Sequence, residues 1–490
     1  MMVIALKDRI THGERIRHLA EEHPDRTAVV SVAADGSRTV LNWAELERTS
    51  NRAARGLLER GLKPGSPLAL AVPPGIGHVV ATAAAWKTGA LVVPLNHAAA
   101  PAEREQLRET VGGFVIGDGD WADVPPAWWE TDGHLDDSPV QEGPEPRSAS
   151  ASGGSTGRPR IVVRRRTWTY DSDALLSDAD RETGLDFGQT QLVMLPMYHA
   201  GFTGLHHGLV LDHTIVLMER FVPRLFGELV EEFRVNCFRI VPTMMRLILQ
   251  DPGIERRDLS SVVAVHQGAG ACPESVKHAW LKIFRPEACF EDYSSVERLG
   301  LVTIRGDEWL RHPGSVGRPT DCEVRIVRPD GTPADPGEVG EIYLRSPTTR
   351  QPEYLGDGPQ LRARGDFLTL GDLGRIDDEG YLYLVGRTAD VINVGGANVY
   401  PAEIEAVLLE FPGVRDAAVI GRPHDYLGQS VHAVLALADP DDPPATWDLD
   451  GHCRRRLSLA KVPMSYEFTD DLGRTEAGKL RHRDLARTQK

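Results

Sequence analysis

Cysteine is scarce in this chain, and the cysteines that occur form no metal-binding pattern. Five are present, scattered between Cys237 and Cys453, and no two stand in a C-x-x-C pair. An odd number of scattered cysteines supports neither a disulfide framework nor a zinc site. We therefore expect free thiols and a cytoplasmic protein.

Long hydrophobic runs are also missing. The most apolar segment, residues 79–95, is interrupted by Lys87 and Gly89, so we expect no membrane span. The first residues, MMVIALKDRITHGER, become charged too early for a signal peptide.

Positive charge is in short supply. The formal net charge is -16, which argues against a nucleic-acid-binding surface. An anionic substrate would need arginine and lysine placed locally. A hydrophobic share of 41% and a charged share of 26% are ordinary for a globular protein, and 490 residues suffice for roughly two to four domains.

The apolar pattern predicts an α/β fold. Short β-branched runs alternate with helix-length segments, which indicates βαβ units and largely parallel sheets. Helices are expected over 43–59, 77–88 and 401–411. The expected strands are PLALAV (67–72), LVVPL (91–95), QLVMLPM, TIVLMERF, NCFRIV and SVVAVHQ, then GEVGEIYLRS and GYLYLVGR in a β-rich part, and AAVIG and VHAVLALA near the end.

Residues 117–151 are rich in Asp, Pro, Glu and Ser and show little periodicity. We interpret them as a surface connection. They lead into the stretch SGGSTGRPRIV (152–162), which carries the first chemical signal.

That stretch fits two motifs. Gly153 to Gly157 match G-x-S-x-G, the nucleophile elbow of serine hydrolases, which needs a strand before the serine and a helix after it. The lead-in EPRSASAS is not typical of a strand, and Pro159 with IVVR opposes a helix. The alternative is a phosphate-binding loop, in which glycines such as Gly157 let backbone N–H groups approach an anion. A flexible surface loop without a ligand remains open.

Other nucleotide motifs are incomplete. The kinase pattern G-x-x-x-x-G-K-[ST] does not occur, because Gly478-Lys479 is followed by Leu480. The Gly268-Ala269-Gly270 turn lacks the third glycine of the dinucleotide fingerprint.

Further motifs follow the glycine-rich stretch in a fixed order: DYSSVE (292–297), GDLGRIDDEGYLYLVGR (371–387), VGGANVYPAEIEAVL (394–408) and RTEAGKLRHRDL (474–485). Together they resemble the adenylate-forming superfamily of acyl-CoA synthetases, luciferases and peptide-synthetase adenylation domains. SGGSTGRPR, HPGSVGRP and GGANVYPAEIE are most similar to acid:CoA ligases of the fatty-acid or bile-acid type.

The resemblance implies a large N-terminal domain of parallel-sheet α/β subdomains plus a β-rich subdomain (1–387), and a small mobile α/β C-terminal domain (388–490). It also implies two half-reactions. A carboxylic acid attacks ATP to give an acyl-adenylate and pyrophosphate, with Mg²⁺ present, and a thiol such as CoA then displaces AMP.

The resemblance also assigns residue roles. The catalytic candidates are Lys479, His199 and Glu297, of which Glu297 would reach the magnesium and Lys479 would bridge the carboxylate and the α-phosphate. The predicted nucleotide residues are Ser155, Thr156, Gly157 and Arg160 at the phosphates, Gly268, Ala269, Gly270 and Tyr293 at adenine, and Asp372 and Arg387 at the ribose. The predicted acid-binding residues are His199, Phe202 and Gly268, with His206, His207 and Met244 as further candidates for the pocket wall. After rotation of the C-terminal domain, Gly395, Gly396 and Ala397 would line the thiol's approach.

Several positions depart from the family pattern. Arg160 stands where lysine is usual, which keeps the charge and changes the geometry. Val296 replaces a threonine, so one hydrogen bond to the α-phosphate is missing unless Ser294 or Ser295 replaces it. Ala389 replaces the usual aspartate or lysine of the hinge, and Asn393 replaces a frequent lysine.

Each assignment has an ordinary structural alternative, such as a solvated loop lysine for Lys479, a surface ion pair for Glu297 or a packed core side chain for Tyr293 and His199. Three functions stay open. One is an acid:CoA ligase. Another is an adenylating enzyme of a natural-product pathway, which passes its group to a carrier protein or an amine, or activates an oxyanion such as nitrite for diazotisation. The last is a non-catalytic nucleotide-binding relative.

Overall fold

A computed structural model describes residues 10–131, 136–140, 147–152, 160–164, 169–170, 176, 181–347, 350–474 and 485. The chain forms two compact units. The first comprises Met1–Ile240, Leu247–His266 and Pro352–Gln360, and the second comprises Val241–Arg246, Gln267–Gln351 and Leu361–Lys490.

The described elements alternate along the chain. The helices are α1 His12–Glu22, α2 Trp43–Glu59, α3 Ile76–Lys87, α4 Pro101–Val111, α5 Trp128–Thr131, α6 Ala200–Val210, α7 Pro223–Glu232, α8 Pro242–Leu249, α9 Glu274–Ile283, α10 Gly306–Trp309, α11 Pro401–Leu409 and α12 Thr446–Arg454. Single 3-10 turns cover Ile254–Arg256, Pro286–Ala288, Thr388–Asp390 and Leu459–Lys461. The strands are β1 Ile10–Thr11, β2 Thr27–Val32, β3 Arg38–Asn42, β4 Pro67–Ala71, β5 Leu91–Pro94, β6 Phe114–Gly117, β7 Arg147–Ser152, β8 Arg160–Val163, β9 Thr169–Tyr170, β10 Thr190–Val193, β11 Thr214–Met218, β12 Cys237–Ile240, β13 Ala264–Gly268, β14 Cys289–Tyr293, β15 Val302–Arg305, β16 Ser315–Pro319, β17 Glu323–Val327, β18 Gly340–Arg345, β19 Glu353–Leu355, β20 Arg362–Arg364, β21 Phe367–Thr369, β22 Asp372–Ile376, β23 Leu382–Arg387, β24 Ile392–Val394, β25 Ala397–Val399, β26 Val414–His424, β27 Gly428–Leu437 and β28 Ser465–Thr469.

The first unit contains the predicted parallel strands. β4 pairs in parallel with β5 and β6, and β10 pairs in parallel with β11 and β12. Helix α2 begins at a capping box in which Asn42 and Glu45 bond each other's backbone N–H groups. Such reciprocal bonds satisfy donors that the first helical turn leaves without partners. The helix bounds agree with the sequence prediction to within a few residues.

Two expectations for the chain before residue 153 are wrong. Residues 147–152 form strand β7, which pairs in parallel with β5 and antiparallel with β8, although RSASAS has a weak strand pattern. Sheet pairing outweighed local propensity here. Residues 117–151 are also more than a surface connection, because Trp128 and Trp129 pack in the hydrophobic core of the first unit.

The second unit contains mostly antiparallel strand pairs, and β27 and β28 pair in parallel. β14, β15, β16, β23, β22 and β18 pair in that order, with β17 and β21 beside β18. A separate sheet joins β24, β25, β26, β27 and β28, and α11 packs on its apolar face through Ile404 and Leu408. The predicted β-rich part and the predicted α/β tail therefore both form sheets, and a helix packs on the sheet of the tail.

All five cysteines are free. No helix in the described part of the chain combines the length and the apolar character that a membrane crossing requires.

Candidate functional site

The Gly268 to Gly270 turn closes strand β13. A Cβ atom on Gly268 would lie 2.9 Å from the carbonyl oxygen of Asp292, so the backbone approaches β14 more closely than a side chain permits. Ala269 has a φ of 68°, a left-handed conformation that is uncommon for a residue with a side chain. Strained backbone of this kind clusters at ligand sites, which agrees with the predicted role of this turn.

Tyr293 ends strand β14 and is tied to a carboxylate. Its Oη donates a hydrogen bond of 2.8 Å to Oδ2 of Asp372, the first residue of β22. Burial, together with the neighbouring Asp372 carboxylate, raises the pKa of the Tyr293 phenol. The hydroxyl therefore stays protonated and remains a donor at neutral pH.

Arg387 reaches the same carboxylate from the opposite strand. Asp372 and Arg387 are register partners of the β22–β23 hairpin, and Arg387 Nε donates to Asp372 Oδ1 at 2.9 Å. Asp372 itself is only 9% exposed. A carboxylate accepts about four hydrogen bonds, so each oxygen keeps a lone pair for a further donor such as a ribose hydroxyl.

Glu297 is half-buried and makes no hydrogen bond or salt bridge with the other described residues. The next residue, Arg298, has a φ of 53°. Among the described residues no group of three or more His, Cys, Asp or Glu could hold a metal ion. Mg²⁺ is commonly held by one or two carboxylates, waters and substrate phosphates, so a lone Glu297 carboxylate fits a magnesium that arrives with a nucleotide.

The hydroxyls beside Val296 differ in their contacts. Ser294 Oγ donates to the carbonyl oxygen of Gly300 at 2.9 Å. Ser295 Oγ is buried without a hydrogen-bond partner among the described residues. Buried hydroxyls are normally paired, which makes Ser295 the better candidate for the contact that Val296 cannot make.

The predicted phosphate loop connects two adjacent strands. Ser152 of β7 and Arg160 of β8 are register partners in an antiparallel pair. A strand, not a helix, therefore begins at Arg160, and the nucleophile-elbow interpretation lacks its required helix. Ser155, Thr156 and Gly157 lie outside the described residues, and so does Lys479.

The predicted acid-binding residues of the first unit lie at the start of α6. His199 precedes that helix, with its ring centroid 4.8 Å from that of Tyr198. Phe202 is packed in the hydrophobic core and His206 is buried against His12, whereas His207 is exposed. The roles of His199 and Phe202 in acid binding stay predictions.

The turn at Gly395 and Gly396 joins β24 to β25, and both glycines have positive φ values. Asn393 Oδ1 accepts a hydrogen bond from Gly396 N at 3.1 Å. Asn393, where lysine is frequent, thus stabilises the turn itself.

Gln267, Lys277 and Glu291 form a buried polar cluster next to the site, and the sequence motifs assign it no role. The signal for this cluster in the sequence is the acidic pair Glu291-Asp292 inside strand CFEDY, with Glu291 two residues before Tyr293.

Comparison with known proteins agrees with these features. The AMP-binding enzyme family matches residues 16–352, and its C-terminal domain matches residues 403–479. A feruloyl-CoA synthase of an Amycolatopsis species is 31% identical over 495 residues, covering 93% of this chain and 96% of its own. The fatty acid–[acyl-carrier-protein] ligase ScoC of Streptomyces coeruleorubidus is 28% identical over 481 residues and 91% of each chain is covered.

A solved structure of similar shape is the o-succinylbenzoate CoA synthetase MenE of Bacillus subtilis. Its complex with the acyl-adenylate OSB-AMP has a TM-score of 0.82 and 25% identity, with 98% of each chain covered. Another structure of that protein contains ATP and a magnesium ion, with a TM-score of 0.80. The fold is thus the mixed α/β fold of adenylate-forming enzymes, with a large N-terminal domain and a smaller C-terminal one. This chain belongs to the AMP-binding enzyme family.

Proposed function

We propose that this chain is an AMP-forming ligase that uses ATP and Mg²⁺ to join a carboxylic acid to CoA. The observation that carries the proposal is the buried Asp372 carboxylate, held by Tyr293 and Arg387 with lone pairs left for a ribose. The similarity to a feruloyl-CoA synthase and to an o-succinylbenzoate CoA synthetase supports CoA as the acceptor.

In the first step a carboxylate oxygen of the acid attacks the α-phosphorus of ATP. The bond between the α-phosphorus and the bridging oxygen breaks, and pyrophosphate leaves with the electron pair. Ser155, Thr156, Gly157 and Arg160 would hold the departing phosphates, and Glu297 would hold Mg²⁺. Lys479 would offset the negative charge where carboxylate and α-phosphate meet, because fixed positive charge stabilises the transition state.

In the second step the thiol loses its proton to solvent, and the thiolate sulfur attacks the carbonyl carbon of the acyl-adenylate. The bond from that carbon to the phosphate oxygen breaks, and AMP leaves with the electron pair. Gly395, Gly396 and Ala397 would line the approach of the thiol. We retain the boundary between residues 387 and 388 as that of the mobile domain, and the cytoplasm as the compartment, which the free thiols support.

A carrier-protein thiol is the second candidate acceptor, since ScoC is a ligase that uses an acyl-carrier protein. Its phosphopantetheine thiol would attack the same carbonyl carbon. The two acceptors therefore share the attacking thiol, and they differ in the surface of this chain that each would contact.

The deciding experiment is a screen of aromatic, fatty and steroid acids for pyrophosphate release, with and without CoA. We expect release that depends on one class of acid, and a CoA thioester by mass spectrometry. Accumulation of adenylate in the presence of CoA, with no thioester, would reject CoA as the acceptor. If no acid in the panel causes pyrophosphate release and the protein binds no nucleotide, the ligase function is rejected.

A further inference from the structure

Lys277, on helix α9, is a buried cation. Its side chain is almost fully enclosed, and Nζ donates to Gln267 Oε1 at 2.7 Å and to Glu291 Oε2 at 3.2 Å. Nζ also lies 5.8 Å from the centroid of the Trp309 ring. One ammonium group thus joins two side chains from different strands.

Such a cluster contributes little to the free energy of unfolding. Taking an ammonium and a carboxylate out of water is expensive, and well-packed apolar side chains often serve a fold equally well. Burial raises the pKa of Glu291, while Lys277 and Gln267 favour its charged form. In some proteins, buried ionic groups are retained because they fix one particular geometry.

The cluster is placed where geometry matters for the predicted nucleotide site. Gln267 immediately precedes Gly268, and β13 and β14 are neighbours in the sheet. Glu291 stands two residues before Tyr293 in β14, so the two side chains project from the same face of the strand. The Gly268 turn and Tyr293 are the two sides of the predicted adenine slot.

We propose that Lys277 is a positioning residue for the nucleotide: it ties Gln267 to Glu291 and thereby fixes the separation between the Gly268 turn and Tyr293. The inference rests on the proposed function, because it takes these two features as the adenine slot. Lys277 does not contact the nucleotide in this scheme. It acts through strands β13 and β14, which carry the Gly268 turn and Tyr293.

Lys277→Met is the first test. A side chain of similar length without charge releases both bonds, so we expect the Kd for AMP and the KM for ATP to rise about tenfold, because small misplacements of binding groups carry penalties of this size or more. The KM for the acid should change less than about twofold. The Kd for AMP is measured by titration calorimetry without acid, so it does not depend on turnover.

Lys87→Met is the matched control. Lys87 has the same chemistry in the first unit, where its Nζ donates to Asn51 Oδ1 at 2.6 Å and to Glu47 Oε2 at 2.5 Å. It joins helices α2 and α3, which carry no predicted nucleotide residue. Lys87→Met should lower the urea midpoint and leave the Kd for AMP unchanged. An equal loss of AMP affinity in both variants would overturn the positioning role.

The double variant Lys277→Met/Glu291→Leu separates positioning from stability. Removing both charges should restore much of the urea midpoint, since no lone carboxylate remains buried. The Kd for AMP should stay raised, because the tie between the strands is still missing. Recovery of both quantities would show a purely structural role and overturn the proposal.

The two proposals fail differently. If wild-type protein binds AMP and Lys277→Met binds it equally tightly, the positioning role is overturned while the ligase stands. If wild-type protein binds no AMP and releases no pyrophosphate, the proposed function fails and the positioning role with it.

Discussion

The Tyr293 hydroxyl donates a 2.8 Å hydrogen bond to the Asp372 carboxylate, which joins two residues 79 positions apart in the chain. Arg387 bonds the other carboxylate oxygen at 2.9 Å. The orientation of Asp372 is thus fixed from two sides before any nucleotide binds. Preorganisation of this kind lowers the cost of ordering the site on binding.

Asp372→Asn should weaken nucleotide binding. The amide replaces one acceptor oxygen by an NH₂ group that must face the Tyr293 or the Arg387 donor, and it removes the charge that strengthens bonds to ribose hydroxyls. We expect the KM for ATP to rise about 10- to 100-fold, the equivalent of about one charge-assisted hydrogen bond. The KM is measured from the rate of pyrophosphate release at a series of ATP concentrations.

Asp377→Asn is the control for that experiment. Asp377 also accepts from a tyrosine, with Tyr383 Oη at 3.1 Å, and has no predicted role at the nucleotide. The KM for ATP should be unchanged in this variant. An equally large rise would mean that the higher KM of Asp372→Asn comes from a disturbed sheet and not from a lost contact with the ribose.

Ser295 and Val296 can be separated by opposite changes. In the Ser295→Ala background, Val296→Thr should raise kcat/KM for ATP by about 2- to 10-fold, because it then supplies one hydrogen bond worth about 0.5–1.5 kcal/mol. Ser295→Ala should reduce kcat/KM by a similar factor if Ser295 now makes that contact. Single-turnover adenylate formation is the measurement, and Ser294→Ala, whose hydroxyl is bonded to Gly300, is the comparison. No loss in Ser295→Ala, together with no gain from Val296→Thr in that background, would contradict the assignment.

Lys479→Ala should affect the two half-reactions unequally. The lysine is predicted to act where carboxylate meets α-phosphate, so adenylate formation should fall by about 100-fold or more. Thioester formation from a preformed acyl-adenylate should change little. Equal losses in the two steps would refute the assigned role, and both are followed by rapid quench and mass spectrometry.

His78 should make stability depend on pH. Burial lowers its pKa from 6.5 to about 4. Between pH 4 and pH 6.5, His78 is therefore protonated less often in the folded protein than in the unfolded chain. The stability it contributes is present above pH 6.5 and is lost as the pH falls toward 4. Between pH 7 and pH 5 we expect a loss of about 2 kcal/mol from this residue.

His78→Gln is the test of that dependence. The variant cannot titrate in this range, so its urea midpoint should fall less than that of the wild type between pH 7 and pH 5. Parallel curves for the two proteins would show that His78 is not the group responsible. The comparison uses slopes with pH, so a uniform loss of stability in the variant does not obscure it.

Much of the local structure was predictable. The helix over 43–59 and the strands near residues 67, 91 and 214 follow from apolar periodicity, which depends on neighbours along the chain. Strand β7 was missed because its residues have little strand propensity and are held by β5 and β8. Trp128 and Trp129 were missed because the surrounding polar residues obscured their burial.

The site divides in the same way. Sequence by itself determined which residue types are available and in what order, since motifs such as DYSSVE and GDLGR are read along the chain. Only the tertiary structure decided that Tyr293, Asp372 and Arg387 share one hydrogen-bonded group and that Lys277 bridges two strands. It also decided that the Ser295 hydroxyl, beside Val296, has no hydrogen-bond partner in the part of the chain that the structure describes. The reason is physical: these contacts depend on sheet register and burial, and both are set by residues far away in the chain.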